Sequence, residues 1–390
     1  MIHSQRRKKI FFSIRVIMAK LFSLKSYAFF AVKCINILFS FLLLIAYTAP
    51  YVDPNRIPIV AFIGLIYPIA VIMNMVFLLV WGLLKSKWFF LSTTILLIGI
   101  PFHTKVFSID LLTNEIPKNA NTLKVMSYNV RLFGYFDDSR VGANKTKNQI
   151  LNLIRQEQPD VLCIQEYFHQ DGKGKFNTRD SIYKIMGIHS HHEKSIHHSQ
   201  KNKHYGIALF SKYPIINQGV VQRSGTQKKN SNFCIYADIV KNGDTIRVYN
   251  VHFQSIKLQA DEYSRQTAMN KDSKTKRSKL RSGLSKLNNA FKIRSKQSNT
   301  VCAHLNESSY KSIICGDFND TPMSYTYEVF DNILVDAFRN TSSGFGSTYN
   351  GFLPAGRIDY IFHTKSLNSA QFKIQHEKLS DHQAISCIIY

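Results

Sequence analysis

Apolar and polar positions follow two different rhythms along these 390 residues. Up to about residue 105 the chain is written in long apolar runs. Residues 29–49, FFAVKCINILFSFLLLIAYTA, form a 21-residue run broken by Lys33 near one end. About 20 apolar residues at 1.5 Å each cross a hydrocarbon core of roughly 30 Å. Residues 57–84 give a second run containing Pro68 and Asn74, both tolerable in a spanning helix. A third, WFFLSTTILLIGIPF at 88–102, is shorter. Three successive apolar runs with no small-residue cleavage site favour a membrane region over a cleavable signal peptide.

From about residue 121 the rhythm shortens. The runs LKVMSYNV, DVLCIQEY, GIALFSKYPI, FCIYADIV, TIRVYNVHF, SIICGDF, RIDYIFH and AISCIIY are strand-length and bounded by polar or turn residues. Helix-period stretches at 145–157 and 325–333 lie between some of them. Strands mixed with helices over this length predict a sheet-based α/β domain rather than a barrel of regular βα units. Lys212-Tyr213-Pro214 and Asn242-Gly243-Asp244 predict turns, the second a hairpin. The expected organisation is a membrane region over 1–106, with about three transmembrane helices, and a single domain over 121–390. The His-rich stretch from His189 to His204 has no fixed spacing and reads as a polar loop rather than a transition-metal site.

Charge changes the picture. Lys and Arg number 50 against 25 Asp and Glu, a formal charge of +25, which favours polyanionic neighbours such as nucleic acid, phosphorylated headgroups or an anionic membrane face. Arg6, Arg7, Lys8, Lys9, Arg15, Lys20 and Lys25 precede the first apolar run, and Lys85 and Lys87 separate the second from the third. The loop around 50–56 carries only Arg56. The positive-inside rule then puts the amino terminus and the 85–87 loop in the cytoplasm, and three spans deliver the following domain to the extracytoplasmic, periplasmic side. A third run that only lies in the interface would invert this. After residue 121 the chain still holds 37 basic against 22 acidic residues. Segment 257–311 alone has thirteen Lys/Arg against four acids; it reads either as a solvated helix with a loop or as a phosphate-facing patch near substrate or membrane. Six Cys without a CxxC pair or regular spacing exclude a disulfide framework and disfavour a thiolate zinc site.

Polar groups cluster at the ends of the apolar strands. Asn129 closes LKVMSYN, Glu166 closes DVLCIQE, and Asn250 and His252 sit on VYNVH. Asp317 and Asn319 end IICGDFN, Asp359 lies in GRIDY, and Asp381-His382 precede the last strand. Any one of these could be a cap or turn former. Together they predict convergence at one sheet edge, where open α/β sheets place ligands. Glu166, Asn129 and the acids offer hard oxygen ligands suited to Mg²⁺. Asp359 and His382 suit an acid–base pair in which the carboxylate orients the imidazole.

In order, SYN(129), QE(166), YGIALFSKYPI(205–215), YNVHF(249–253), GDFN(316–319), GRIDYIF(356–362) and SDH(380–382) resemble the motif series of the endonuclease/exonuclease/phosphatase superfamily, over about 121–390. The resemblance implies a four-layer α/β sandwich of two packed mixed sheets, here preceded by the membrane helices as in membrane-attached bacterial members. It implies Glu166 as principal Mg²⁺ ligand (Mn²⁺ substituting), Asn129 beside it and Asp381 supporting the metal site. His252 would stabilise the pentacovalent phosphorus, Asp317 and Asn319 would position nucleophile and phosphate, and Asp359 would hold His382. The expected activity is phosphodiester or phosphomonoester hydrolysis by a multi-pass membrane protein, nucleic acid being the first candidate substrate. The alternatives are a lipid phosphodiesterase or inositol-phosphatase-like enzyme, and a non-catalytic scaffold with a basic binding surface. No obligate protein partner is inferred.

Overall fold

The computed structural model describes residues 26–110, 115–135, 140–172, 176–188, 190–198, 202–221, 234–256, 276–351 and 356–390. The basic residues ahead of the first apolar run lie outside the described residues, as does 257–275 of the basic segment. The chain divides into two units, one comprising 1–48 and 62–101, the other 49–61 and 102–390.

In the first unit the apolar runs become helices. α1, Ser26–Tyr51, is long and apolar enough to cross a membrane. The second run is a bent pair, α2 (Pro58–Leu65) and α3 (Tyr67–Leu83), meeting at 55°, and the third is another, α4 (Phe89–Ile98) and α5 (Ile100–Val106), meeting at 64°. About three transmembrane helices were expected; among the described residues one helix is long and apolar enough to cross, and the count reaches three only if each bent pair is one span. The reason lies in the prolines: Pro68 occupies the first turn of α3, and the residues before a proline are driven out of helical geometry. Pro101 breaks the second pair in the same way.

The unit is apolar on its outside: Phe30, Leu79, Leu83 and Phe90 are exposed. Inside, Asn36 Nδ2 donates to Ser92 Oγ at 2.9 Å and Trp81 Nε1 donates to Asn36 Oδ1 at 2.9 Å. Ser40 Oγ donates to Asn74 Oδ1 at 2.8 Å. Small polar residues bonded between helices are the glue available where apolar burial drives nothing.

Among the described residues the second unit holds twelve strands: β1 (Leu123–Asn129), β2 (Val161–Gln170), β3 (His191–His198), β4 (Lys203–Ser211), β5 (Ile215–Val220), β6 (Cys234–Lys241), β7 (Asp244–His252), β8 (Lys311–Asp317), β9 (Leu334–Asp336), β10 (Asp359–Thr364), β11 (Ser369–Ile374) and β12 (Ile385–Ile389). They form two six-stranded mixed sheets, ordered β11-β12-β1-β2-β4-β3 and β5-β6-β7-β8-β10-β9. Each sheet has one parallel pair, β1 with β2 and β7 with β8. A parallel pair needs a crossover, and helices supply it: α6 (Arg140–Glu157) before β2, and α8 (Lys276–Asn306) before β8. The other α-helices of this unit among the described residues are α7 (Thr178–Met186), α9 (Tyr325–Asp331) and α10 (Ala337–Thr341).

Alternation assigns each strand's two faces. Val125, Cys163, Leu209, Val248, Ile313 and Ile361 pack between the sheets. Their neighbours Met126, Leu162 and Phe210 turn outward onto Ile150 and Ile154 of α6 and Ile182 of α7. On the other sheet Tyr249, Val251 and Ile314 meet Val301 of α8 and Tyr327 of α9. Both faces of each sheet are thus covered, so the strands read as continuous apolar runs, and the layers are helix, sheet, sheet, helix. Asn242 and Gly243 take φ of 52° and 85° and close the β6–β7 hairpin where the sequence predicts it. The His-rich stretch departs from expectation. Its described part, His191–His198, is strand β3, paired along its length with β4 at the sheet edge, not a loop.

Candidate functional site

Strand register builds the site. On neighbouring strands His252, Asp317 and Asp359 are Cα partners, His252 to Asp317 across β7–β8 and Asp317 to Asp359 across β8–β10. One rung of the second sheet therefore carries an imidazole and two carboxylates. Gly316 makes the close pairing possible: its φ is +143°, and a Cβ there would lie 2.0 Å from the Val251 carbonyl oxygen.

Asp317 is the hub and is buried. Its Oδ2 accepts from Asn129 Nδ2 at 3.0 Å and Asn319 Nδ2 at 3.0 Å, and its Oδ1 accepts from the Asn319 amide at 2.8 Å. The same Oδ2 faces His252 Nε2 at 3.6 Å and His382 Nε2 at 3.7 Å. His382 Nδ1 meets Asp359 Oδ2 at 3.0 Å, and ligand atoms of Asp317, Asp359 and His382 all lie within 4.8 Å of one another. Burial by itself would lower the His382 imidazole pKa, but Asp359 and then Asp317 outweigh it and raise it to about 10.

Glu166 reaches the site by a backbone irregularity. The β2–β4 register shifts between Ile164 and Tyr167, and Glu166 sits in the shift with φ of 49°. A bulge of this kind re-aims a side chain out of the sheet's alternation. Burial raises the Glu166 carboxyl pKa; His252 and His382 pull it down, and Asp381 and Asp317 push it further up. Glu166 therefore lies within electrostatic reach of both imidazoles, joining the two sheets at one place. Asp381 is adjacent to His382, and Ser380 Oγ ties that loop to the Asn129 carbonyl at 2.8 Å.

Two observations fit a cation. Among the described residues the Glu166 carboxylate makes no hydrogen bond or ion pair, and the buried His252 Nε2 has no hydrogen-bond partner. Unpaired buried polar atoms are costly unless a ligand completes them. The accumulation of Glu166, Asp317, Asp359 and Asp381 in one place calls for positive charge, and oxygen donors suit a hard divalent ion. Asn129 donates its amide nitrogen to Asp317, so its Oδ1 is turned away from that carboxylate.

Other members of the site escape sequence reasoning. Gln165, fully buried, donates to Asn250 Oδ1 at 2.6 Å and to Ser127 Oγ at 3.1 Å. Asn250 in turn donates to the carbonyls of Ile164 and Ala208. Asn250, a strand-end candidate by sequence, is thus a bridge between the sheets beneath the site. Thr348 Oγ1 accepts from the Asp359 amide at 3.1 Å, and the Tyr349 ring lies 5.1 Å from that of His382. Arg294 of α8, buried, bonds Asp320 at 3.0 Å and the Gln254 carbonyl at 3.0 Å, holding the loops that leave β8 and β7. Their partners lie eleven or more residues away, so apart from the strand-end position of Asn250 no local signal marks them.

Such a fold and site define a metal-dependent phosphoester hydrolase. The chain belongs to the endonuclease/exonuclease/phosphatase family, whose model matches residues 126–382. A second model, of a domain of unknown function, matches residues 28–106. No curated protein sequence matches the chain. Similar solved structures include a family member from Bacteroides vulgatus, at 15% identity and TM-score 0.49, covering 70% of this chain and 99% of that one. The human Nocturnin catalytic domain with bound sulfate is similar at 18% identity and TM-score 0.48, covering 69% and 93%. A mannosyl-6-phosphatase from Bacteroides thetaiotaomicron is similar at 16% identity and TM-score 0.47, covering 69% and 99%.

Proposed function

We propose that this protein is a membrane-anchored, Mg²⁺-dependent phosphoesterase that hydrolyses a phosphodiester, or a phosphomonoester, by water attack. The single observation that carries the reading is the rung His252–Asp317–Asp359, capped by His382 and faced by the unpaired Glu166 carboxylate. Glu166 is the principal metal ligand, with Asn129 Oδ1 and Asp381 completing the oxygen set. A bound Mg²⁺ supplies charge neutralisation at the phosphoryl oxygens. Asp317, fixed by Asn129 and Asn319, aligns the attacking water and accepts its proton. Asp359 holds His382 through Nδ1 so that its protonated Nε2 is aimed into the site, where it gives its proton to the leaving oxygen. His252, whose Nε2 awaits an acceptor, donates to a phosphoryl oxygen as charge develops on the pentacovalent phosphorus.

The anchor is α1, with the bent pairs α2–α3 and α4–α5 as two further crossings of a multi-pass region. Residues 49–61, which link α1 to α2, group with the catalytic unit. That supports a topology in which this loop and the catalytic unit share one side. Three crossings satisfy it, as does one crossing with both pairs re-entrant; two do not. With the basic amino terminus inside, the catalytic unit is extracytoplasmic.

Nucleic acid is favoured as substrate by the charge of the catalytic region, and a lipid-borne phosphoester by the position of the 49–61 loop. The test is full-length protein assayed with Mg²⁺ or with chelator against plasmid DNA, sphingomyelin and a phosphoinositide, His382→Ala serving as control. Turnover of one substrate that needs both metal and His382 establishes the reading; absence of turnover together with absence of Mg²⁺ binding overturns it.

A further inference from the structure

Helix α8 carries eight basic residues, Lys276, Arg277, Lys279, Arg281, Lys286, Lys292, Arg294 and Lys296, and not one Asp or Glu. Solvated helix faces ordinarily mix signs, because like charges one turn apart repel. The carboxyl-terminal half is held in the fold by Phe291, Arg294, Ser298, Val301 and Leu305, buried at three- and four-residue spacing. In the amino-terminal half Arg277, Arg281, Ser285 and Asn289 are exposed. At 100° per residue, Arg277, Arg281, Lys292 and Lys296 fall on one stripe about 100° wide. Arg294 in the same helix points to the opposite, buried side.

The direction of the helix decides what the stripe can meet. α8 ends five residues before β8 begins, at the sheet edge remote from the site. Arg294 touches the loops leaving β7 and β8 at the catalytic edge. The segment ahead of Arg294 therefore runs roughly 27 Å onward past that edge. At the same level the α1–α2 loop is docked: Ser295 Oγ donates to Asp53 Oδ1 at 2.6 Å, and Asn55 Nδ2 donates to Ser295 Oγ at 3.2 Å and the Lys292 carbonyl at 3.3 Å. So the basic stripe, the catalytic edge and the chain's exit from α1 lie together.

The geometry points to the Arg277, Arg281, Lys292 and Lys296 stripe of α8 as a docking surface for the anionic headgroups of the bilayer that α1 enters, so that the catalytic edge is held at that surface. This rests on the membrane-anchored reading given above. Charge complementarity argues for it, and so does continuity with the docked loop, one end of which is the end of α1. Nucleic acid is the weaker occupant, because single-strand surfaces interleave aromatic rings with basic groups, and the one aromatic residue of α8, Phe291, is buried.

The test is amide hydrogen exchange over residues 276–289 of the full chain, reconstituted in nanodiscs of phosphatidylcholine alone or mixed with phosphatidylglycerol. Each basic side chain at an anionic surface contributes on the order of a fivefold preference, so exchange slows by roughly tenfold or more in the anionic discs. Added salt removes the protection in the unaltered chain, and the combined Arg277→Glu, Arg281→Glu and Lys296→Glu variant lacks it. Equal exchange in both discs overturns the docking surface alone. Failure of the chain to enter either disc overturns the anchored reading and the inference with it. Protection that requires single-stranded DNA instead of anionic lipid overturns it in favour of nucleic acid.

Discussion

Two buried polar clusters occupy the two units of this chain, and their chemistry differs in one respect. In the helical unit Asn36, Ser40, Asn74, Trp81 and Ser92 are all at most 2% exposed, and each has a hydrogen-bond partner. In the catalytic unit the cluster around Asp317 leaves His252 Nε2 and the Glu166 carboxylate without one. It also displaces pKa values, His382 and Glu166 both upward. A satisfied cluster specifies how helices meet. An unsatisfied one is held ready for something else, and the surrounding fold bears the cost. Burial and polarity alone do not separate the two; the count of missing partners does.

The largest break in that contrast comes from removing the open carboxylate. Glu166→Gln keeps the shape and deletes the charge. Turnover falls on the order of 10³-fold, several kcal/mol of transition-state stabilisation, and calorimetry registers the loss of Mg²⁺ binding. The metal-free protein melts no lower than the parent, because burial already opposes the charged form. Retained turnover would return Glu166 to the role of an ordinary bulge residue.

Asp359→Asn sharpens the division of labour within the site. The neutral amide cannot hold the charge and orientation of the His382 imidazolium as the carboxylate does, and kcat falls by about 10² to 10⁴. Mg²⁺ affinity stays near the parent's, since Asp359 acts on His382 rather than on the cation. A parallel fall in metal affinity would move Asp359 into the ligand set.

The same operation on the satisfied cluster has a different outcome. Asn36→Leu leaves Trp81 Nε1 and Ser92 Oγ without their partner and costs the helical unit about 1–2 kcal/mol, read as an earlier unfolding transition in detergent. Catalytic turnover per folded molecule is unchanged. A stability change indistinguishable from zero would mean that lipid or neighbouring carbonyls replace the lost bonds.

Legibility in the sequence follows the same contrast. Asn129, Glu166, His252, Asp317, Asn319, Asp359, Asp381 and His382 could be read because each puts a charged or amide group at the end of an apolar strand, where local context offers it nothing. The sheets could be read because strands buried on both faces stay apolar throughout. What escaped was whatever depends on a distant partner. Gln165 bonds Asn250 across the sheets over 85 positions, so Asn250 was legible as a strand-end polar group but its partner was not. Thr348 meets the Asp359 amide and Asn36 meets Ser92, and no local pattern marks any of them. β3 was hidden because a strand of His, Glu and Lys has no apolar alternation; its pairing with β4 supplies the order instead. The breaks at Pro68 and Pro101 were visible as residues, yet apolarity alone cannot say whether a membrane helix bends there or passes through.

Strand β4 and the turn after β2 carry a third polar cluster, and it gives the smallest effect. Asp171 Oδ1 meets His169 Nε2 at 3.0 Å and Arg179 Nη2 at 2.9 Å, while its Oδ2 meets His204 Nε2 at 2.8 Å. Burial nudges the carboxyl pKa up, but hydrogen bonds from His204 and His169 outweigh it and bring it down to about 2. A carboxylate depressed in the folded state stabilises above its unfolded value near 3.9, and that contribution is lost as pH falls from about 4 towards 2. The side chain is 38% exposed, so solvent screens much of the gain. Asp171→Asn is therefore expected to flatten the acid limb of the catalytic unit's stability curve slightly while leaving its neutral-pH turnover untouched. A fall in turnover at neutral pH would place this cluster with the unsatisfied site around Asp317 instead of with the satisfied one in the helices.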